Sequence, residues 1–424
     1  MALLSPWHPG ATLRRIMLYH AFEFTHAALA PMRALCQAEK LLTETGINAL
    51  AQTPQGRALH AALQVFDGMT HRYPRPEWGI ETIMVNGETV TVDPTIVDTA
   101  PFCELLHFTK DPAAVPPGSQ PKVLIVMPLS GHYPALLRGT VEAMLGEFDV
   151  YVTDWRDARM VPAFVGPFGL DEFIDTVIRA LHVIGPDTHL LAVSQSSVPV
   201  LAAVSLLATS DNPNQPASMV LMGGPIDARV NPSAANEMAA CQDRAWLEQT
   251  AISHVPWPHP GAWRPVCPGF LTLSGFLFKN LERHVDAQLI YFNHLVDGDG
   301  GTAAEHRTFY EKFLAVMDLP AEVFLDTVET VFQTFNLPRG RMHHRGTPIT
   351  PSAIHHTALM TVEGGRDDIC PPGQTAVAHG LCPNIAKKHQ RHLVHPDVGH
   401  FGVFNGQRWR HDIQPEIAAF IHSR

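Results

Sequence analysis

A chain of 424 residues, 46% of them apolar, can bury a large core, either as two or three domains or as one α/β domain with a long insertion. Only 17% of the residues are charged and the formal net charge is -11, so the basic stripe typical of nucleic-acid-binding proteins is not expected. We therefore predict that the chain has no nucleic-acid partner.

The cysteines and the N-terminus indicate where the protein resides. The six cysteines are scattered, without a C-x-x-C pair or zinc-site spacing, and a chain of this length needs no disulfides, so a reducing cytoplasm is expected. Arg14 and Arg15 follow the first short apolar run instead of preceding it, which is the wrong order for a signal peptide. The sequence contains no run of ~18 uninterrupted apolar residues, so no transmembrane segment is predicted.

Residues 1–120 are predicted to form an N-terminal segment. Helical spacing of apolar residues predicts that residues 17–65 are helical. The alternating stretch Ile80–Val92, with Asn86-Gly87 at its centre, predicts a β-hairpin. A polar, proline-rich connector over Asp111–Pro121 leads into the next segment.

Residues 121–228 alternate apolar strands with amphipathic helices. Val123–Met127 is a continuous apolar run, as expected of a strand buried on both faces. Further strands are predicted at Asp149–Thr153, His189–Val193 and Ser218–Met222, and helices at Pro134–Leu145, Leu170–Ile184 and Ser197–Ala208. This β-α-β alternation predicts a parallel sheet with right-handed crossovers.

The alternation stops over residues 229–355 and returns over 356–424. The first of these stretches is rich in Pro, Trp and Phe, and Trp257 and Trp263 are interpreted as core residues in preference to a substrate pocket. Helices are predicted at Thr302–Met317 and Ala321–Phe335. The alternation of strands and helices then resumes with Thr357–Glu363, Gln374–Leu381 and His392–His395, followed by a C-terminal helix over Gln414–Ile421. A long excursion between two strands of one sheet predicts a cap or lid.

Ser194 is the candidate nucleophile. It lies in AVSQS (residues 192–196), directly after a predicted strand and before a predicted helix. A nucleophile elbow has this context, and its tight turn requires small residues two places before and after the nucleophile. Ser196 is the competing nucleophile, but the β-branched Val198 two places beyond it would crowd such a turn. Serines at strand ends are common, so this motif alone is only moderately specific.

Asp367 and His400 are the candidate acid and base. Asp367 lies in GGRDDICP (364–371) after a predicted strand, where a carboxylate can orient a histidine; Asp368 is the alternative, and an ordinary Gly/Asp turn is the plain explanation. His400 lies in DVGHFG (397–402) after the last predicted strand. The order Ser, Asp, His, each after its own strand, is that of the α/β-hydrolase fold, which we predict with a mostly parallel sheet, an N-terminal extension and a large cap.

An acyl-enzyme mechanism also needs two N–H donors for the oxyanion. One is expected from the backbone of Gln195, and the other from the loop MPLSGH (127–132), with Ser130 the first choice and Leu129 the second. A tight turn that merely needs Gly131 explains this loop equally well.

Neither a metal nor an organic cofactor is predicted. The adjacent pairs His343-His344 and His355-His356 point in different directions on a strand, and His389, His392 and His395 have no carboxylate at a useful spacing. The sequence contains neither G-x-G-x-x-G nor a phosphate loop.

Longer blocks resemble the intracellular poly(3-hydroxybutyrate) depolymerases of the α/β-hydrolase superfamily, from about Met17 to the C-terminus. The blocks are MLYHAFEF, VMPLSGHYPALLRGTV, AVSQSSVPVLAAVSLLA, VCPGFLTLSGF, TVEGGRDDIC and VGHFGVFNGQRW. The resemblance implies that Ser194 is the nucleophile, Asp367 the acid and His400 the base. Many relatives have cysteine as the nucleophile, and a serine, which depends on the histidine for activation, favours hydrolysis over acyl transfer to coenzyme A.

The resemblance also implies the substrate and the location. The substrate would be amorphous polyester stored in granules, or its hydroxyalkanoate oligomers, and the protein would lie at the granule surface in the cytoplasm; homo-oligomers are left open. A large apolar insertion suits a water-insoluble substrate. The alternatives are a generic carboxylesterase, an acyltransferase resembling polyester synthases and a non-enzymatic granule scaffold. Synthases elongate from a cysteine thioester, so Ser194 counts against them.

Overall fold

The computed structural model describes residues 9–46, 53–279 and 281–424. The helical prediction for residues 17–65 is confirmed over the described part of that segment, which lies in α1 (Pro9–Glu44) and α2 (Pro54–Thr70). After α1 the chain turns at Gly46, whose φ of 74° is typical of a residue that ends a helix. At the start of α2, the Thr53 hydroxyl accepts a hydrogen bond from the backbone N–H of Gly56 (3.0 Å).

A three-stranded antiparallel unit joins the N-terminal segment to the core. The predicted hairpin is confirmed as β1 (Thr82–Val85) and β2 (Glu88–Thr99), which turn at Asn86 and Gly87 with positive φ at both residues. The sequence did not predict β3 (Cys103–Lys110), which pairs with β2 on one side and with a core strand on the other. The N-terminal hairpin therefore extends the central sheet.

The first half of the core has the predicted elements, with small shifts in their ends. They are β4 (Lys122–Val126), α3 (Arg138–Leu145), β5 (Asp149–Trp155), α4 (Leu170–Ile184), β6 (Thr188–Val193), α5 (Ser197–Thr209) and β7 (Ser218–Met222). The strands β5, β4, β6 and β7 are parallel, and β6 and β7 are buried along their whole length. This burial explains why these strands have continuous apolar runs instead of alternating patterns.

The insertion after β7 is mostly helical. Its elements are α6 (Ala234–Cys241), α7 (Arg244–Thr250), β8 (Ser253–His254), β9 (Pro265–Cys267), α8 (Gly269–Lys279), α9 (Leu281–Asp297), α10 (Gly300–Leu314), β10 (Leu319–Pro320), α11 (Ala321–Thr327), β11 (His343–His344) and β12 (Thr347–Pro348). A π-helical turn, Val328–Gln333, continues α11. No helix in the described ranges is long and apolar enough to cross a membrane.

Two predictions for this insertion were wrong. Helix α10 ends at Leu314, not at Met317, because the next residues are extended against a core loop: Val316 bridges to His132, and the Met317 N–H donates to the carbonyl of Gly131 (2.8 Å). Trp257 and Trp263 are not core residues, since they are 79% and 67% exposed. Apolar composition alone did not distinguish a buried indole from one on the surface.

The second half of the core completes the sheet. It contains β13 (Ala358–Gly364), α12 (Ala378–Leu381), β14 (Gln390–His395), α13 (Gly406–Arg408) and α14 (Gln414–His422). Strand β13 is parallel to β7 and β14, which gives the strand order β1-β2-β3-β5-β4-β6-β7-β13-β14. A mostly parallel sheet, flanked by helices and interrupted by a long insertion, is the α/β-hydrolase fold, as predicted.

A buried polar cluster fastens α1 and the insertion to the core. The carboxylate of Asp318 accepts hydrogen bonds from the hydroxyl of Tyr19 (2.7 Å) and from the N–H of Gly269 (2.9 Å), and its own N–H donates to Asp157 (3.1 Å). Arg159 forms an ion pair with Asp157 (2.7 Å). Burial, and the nearby Asp157 carboxylate, raise the pKa of Asp318 to about 6.

Asp318→Asn is therefore expected to make stability less dependent on pH. Because the folded-state pKa of Asp318 lies above its unfolded value, protonation stabilises the fold at low pH, and this contribution is lost as pH rises through about 6. In urea unfolding, the free energy of unfolding of the variant, relative to that of the wild type, should rise by up to about 3 kcal/mol between pH 4 and pH 7.5. Asp211→Asn, at an exposed aspartate, is the control; parallel pH profiles for the wild type and Asp318→Asn would contradict the assignment.

Candidate active site

Ser194 lies at a sharp turn between β6 and α5. Its φ is 56°, in the left-handed region that residues other than glycine seldom adopt, and such strain is concentrated at functional sites. The turn is close to a neighbouring segment: a Cβ added to Gly224 would lie 2.2 Å from the Cβ of Ser197 and 3.0 Å from the carbonyl oxygen of Ser194. The local backbone is therefore that of a nucleophile elbow.

Ser196 has a different environment from Ser194. Its side chain is fully buried, and its hydroxyl lies within hydrogen-bond distance of two carbonyl oxygens, those of Val126 (2.8 Å) and Val193 (2.9 Å). These contacts attach the elbow to β4. Ser196 is thus placed to hold the turn, and the hydroxyl that contacts a histidine is that of Ser194.

The structure brings Ser194, His400 and Asp367 together. The Oγ of Ser194 is 2.9 Å from Nε2 of His400, and Nδ1 of His400 is 2.7 Å from Oδ2 of Asp367. With Nδ1–H donating to the carboxylate, Nε2 is left as the acceptor for the serine hydroxyl. Asp367 has a fully buried side chain, whereas Asp368 is exposed. The geometry therefore favours Asp367 over Asp368 as the partner of His400.

Backbone groups fix the orientation of Asp367. Its Oδ1 accepts hydrogen bonds from the N–H groups of Ile369 (2.9 Å) and Cys370 (2.7 Å), so Oδ2 is the oxygen turned towards His400. On the other side, the rings of Phe401 and Phe404 contact the imidazole edge-on, with centroid distances of 5.9 and 5.1 Å. The imidazole is held between a charged partner and apolar rings.

The loop after β4 and the residue after Ser194 lie beside the insertion. Within the described residues, the N–H groups of Leu129 and Ser130 make no backbone hydrogen bond. Gln195 is the second residue of a short helical turn, Ser194–Ser196, and N–H groups in the first turn of a helix have no partner within it. Its side-chain amide donates to Thr327 of α11 (3.2 Å), which joins the elbow to the cap. The oxyanion role of Gln195 and Ser130 stays a prediction.

Gly131 is required where this loop meets the cap. Its φ is 102°, and an added Cβ would lie 2.1 Å from the hydroxyl oxygen of Thr272 on α8. Gly131→Ala is therefore expected to lower the melting temperature and, because it displaces the loop, ester hydrolysis as well. Gly275→Ala, at a position in open space on α8, the helix of Thr272, is the matched control and should leave the melting temperature and ester hydrolysis unchanged. An unchanged Gly131→Ala variant would show that the loop is not constrained in this way.

Residues 223–424 match the family model described as PHB de-polymerase C-terminus, where PHB is poly(3-hydroxybutyrate). The matched part contains Asp367 and His400, and Ser194 precedes it. These residues belong to the PHB de-polymerase C-terminus family. The family description and the fold place the chain among ester hydrolases. No curated protein is significantly similar to the chain in sequence.

Several solved structures follow a similar path of the chain, but their sequence identity to this protein is low. The carboxylesterase CesB of Bacillus subtilis is 11% identical (87% of this chain and 99% of that chain covered, TM-score 0.40), and a thermophilic esterase of Thermogutta terrifontis is 14% identical (80% and 97%, 0.40). The 2-hydroxy-6-oxo-6-phenylhexa-2,4-dienoate hydrolase of Rhodococcus sp. strain RHA1 is also 14% identical (78% and 99%, 0.40). At these values the likeness says nothing about substrate.

The PHB de-polymerase domain contains a buried carboxylate that the sequence analysis missed. Glu363, at the end of β13, is 1% exposed and accepts hydrogen bonds from the N–H groups of Gly373 (2.8 Å), Thr375 (2.8 Å) and Ala376 (3.0 Å). Thr375 in turn exchanges hydrogen bonds with the backbone of Gly224, which lies against Ser194. The sequence signal that could have identified Glu363 was a single acidic residue within an apolar strand. The predicted element Gln374–Leu381 is helical only over Ala378–Leu381.

Cys370, three residues after Asp367, has the environment of a packing residue. Cys370 is buried, its thiol donates to the side chain of Gln374 (3.4 Å), and burial raises its pKa far above the usual range, which suits a packing role. In the part of the chain that the structure describes, no group of three or more His, Cys, Asp or Glu side chains could hold a metal ion.

Proposed function

We propose that this chain is a serine hydrolase that cleaves ester bonds of poly(3-hydroxybutyrate) or its oligomers, with Ser194 as nucleophile, His400 as base and Asp367 as acid. The observation that carries the proposal is the continuous hydrogen-bonded line from Ser194 through His400 to Asp367, with Ser194 at a left-handed turn. The order of roles follows the general logic of serine-histidine-aspartate sites.

The proposed mechanism has two steps. In the first, Ser194 Oγ attacks the ester carbonyl carbon while Nε2 of His400 takes its proton, and the N–H groups of Gln195 and Ser130 bind the oxyanion. The C–O bond then breaks, and His400 returns the proton to the leaving alcohol of the polymer. In the second step, water, deprotonated by His400, attacks the acyl-serine; the bond from the acyl carbon to Oγ breaks, His400 returns the proton to Ser194, and a hydroxy acid is released. Asp367 holds the imidazole and stabilises its protonated form.

The choice of polyester as substrate is supported by the family of residues 223–424. The surface of the insertion suits such a substrate, since several of its large apolar side chains are exposed, among them Phe278 (75%) and Ile290 (55%). Exposed apolar surface favours contact with a water-insoluble solid. We accordingly propose that the protein acts at the surface of polyester granules.

The test is incubation of the purified chain with amorphous poly(3-hydroxybutyrate) granules and, separately, with p-nitrophenyl butyrate. The proposal predicts soluble 3-hydroxybutyrate or short oligomers from granules with the wild type, and none with Ser194→Ala, which should still sediment with the granules. Cleavage of the short ester alone would reduce the function to that of a generic carboxylesterase. Formation of 3-hydroxybutyryl-coenzyme A in place of free acid would point to an acyltransferase.

A further inference from the structure

A cavity lies away from the three proposed catalytic residues, where α1 and α2 meet the insertion helices α9 and α10. Its volume is about 270 Å³, and its lining includes Lys40, Asp67, Gln288, His306 and Arg307. It has room for much more than one water molecule. Ser194, Asp367 and His400 do not line it.

Four buried polar atoms that line this cavity have no hydrogen bond of ordinary length and angle to a described residue, although the His306 ring lies near the backbone of Ala287 and the Gln288 side chain near the Tyr310 hydroxyl. They are Oδ1 of Asp67, Nε2 of Gln288 and both ring nitrogens of His306. Buried polar groups in folded proteins are nearly always paired, so several unpaired ones around one cavity indicate an occupant that pairs with them. Such an occupant must supply a donor for the carboxylate of Asp67 and an acceptor for the amide of Gln288.

The ring of His306 is held in place at the cavity wall. It is stacked between Tyr291 and Tyr310, with centroid distances of 4.5 Å on both sides and interplanar angles of 7° and 23°. Burial lowers the pKa of His306, which favours the neutral ring with one N–H donor and one acceptor nitrogen. His306 can therefore donate to a ligand oxygen without adding charge.

Charge and apolar surface restrict the ligand further. The charged residues that line the cavity are Lys40, Arg307, Asp67 and Glu311, and Arg307 pairs with Glu311 (3.4 Å). A carboxylate on the ligand would therefore have to lie on the side of Lys40 and Arg307, away from Glu311. The cavity shares Val65, Met69 and Gln288 with an adjacent, mostly apolar groove of about 470 Å³ that also includes Leu281, Leu289 and Phe292. A hydrocarbon end of the ligand can lie there.

We propose that this cavity is a binding site for a short 3-hydroxy-carboxylate. The hydroxyl donates to Oδ1 of Asp67, the carboxylate accepts from Gln288 and His306, and the hydrocarbon end faces the groove. The choice of this acid rests on the proposed function, since it is the product class of polyester hydrolysis. The cavity would then hold a product molecule outside the catalytic centre.

The test is isothermal titration of the full chain with 3-hydroxybutyrate, which has no ester bond, so no hydrolysis contributes. We expect saturable binding that Gln288→Leu weakens about tenfold, the effect of one lost buried hydrogen bond. Asn293→Leu, exposed on the same helix α9, should bind as tightly as the parent. Butyrate, which has no hydroxyl, should bind about tenfold more weakly.

A second variant tests the site independently in case Gln288→Leu does not fold. His306→Phe keeps the ring stack between the tyrosines but removes both nitrogens, and it should weaken binding in the same way. No binding, binding that neither variant changes, or tighter binding of 3-aminobutyrate than of 3-hydroxybutyrate would overturn the proposal. These outcomes are independent of granule hydrolysis, so loss of hydrolysis with this binding intact would refute only the proposed function, and the reverse result only this site.

Discussion

Ser194→Ala should lower kcat/KM for polyester and for p-nitrophenyl esters by roughly 10⁴- to 10⁶-fold. Removing the nucleophile of a serine-histidine-aspartate site leaves only the contribution of binding and of the oxyanion donors. Fold and stability should change little, because the hydroxyl of Ser194 contacts only His400 among the described side chains. Steady-state hydrolysis, with circular dichroism as a check on folding, measures this.

Ser196→Ala is the matched control, two residues away in the same elbow. It loses the hydroxyl that lies against the carbonyls of Val126 and Val193, so the free energy of unfolding should fall by roughly 1–3 kcal/mol. Activity should stay within about tenfold of the wild type, since no chemical step uses this hydroxyl. If Ser196→Ala abolished hydrolysis and Ser194→Ala retained it, the roles of the two serines would be reversed.

The second large effect is expected from Asp367→Asn. The N–H groups of Ile369 and Cys370 would keep the amide oxygen on their side, so the amide NH₂ would face Nδ1 of His400. The ring would then carry its proton on Nε2, where it cannot accept the proton of Ser194. We expect a decrease in kcat of about 10³- to 10⁴-fold.

Asp368→Asn provides the comparison at the adjacent carboxylate. Because Asp368 is exposed and the contact with His400 is made by Asp367, hydrolysis by this variant should stay within about twofold of the wild type. Parallel kcat measurements over pH 5–9 for both variants distinguish the two residues. A large loss in Asp368→Asn, with Asp367→Asn active, would transfer the proposed acid role to Asp368.

Much of the core could be predicted because its signals are local. The strands around Val123–Met127 and Ser218–Met222 are buried on both faces and therefore continuously apolar, and α4 has its apolar residues on one face. The candidate residues Ser194, Asp367 and His400 could be selected because each follows its own strand. In a parallel sheet the carboxyl ends of the strands share one edge, so chain order indicated proximity.

The features that were missed depend on contacts between distant segments. Strand β3 is specified by its pairing with β2 and β5 and has no distinctive local pattern. The end of α10 is determined by the hydrogen bond from Met317 to Gly131, about 186 residues earlier in the chain. Glu363 positions a loop through three backbone groups, and only the fold shows which groups those are.

The most direct test of the account is covalent labelling with a fluorophosphonate, which reacts with activated serine nucleophiles, followed by tandem mass spectrometry of the digested protein. The account predicts one adduct, on Oγ of Ser194, formed in parallel with the loss of ester hydrolysis and absent from His400→Gln. Loss of hydrolysis with the label on Ser196 or on another residue, and with Ser194 unmodified, would contradict it.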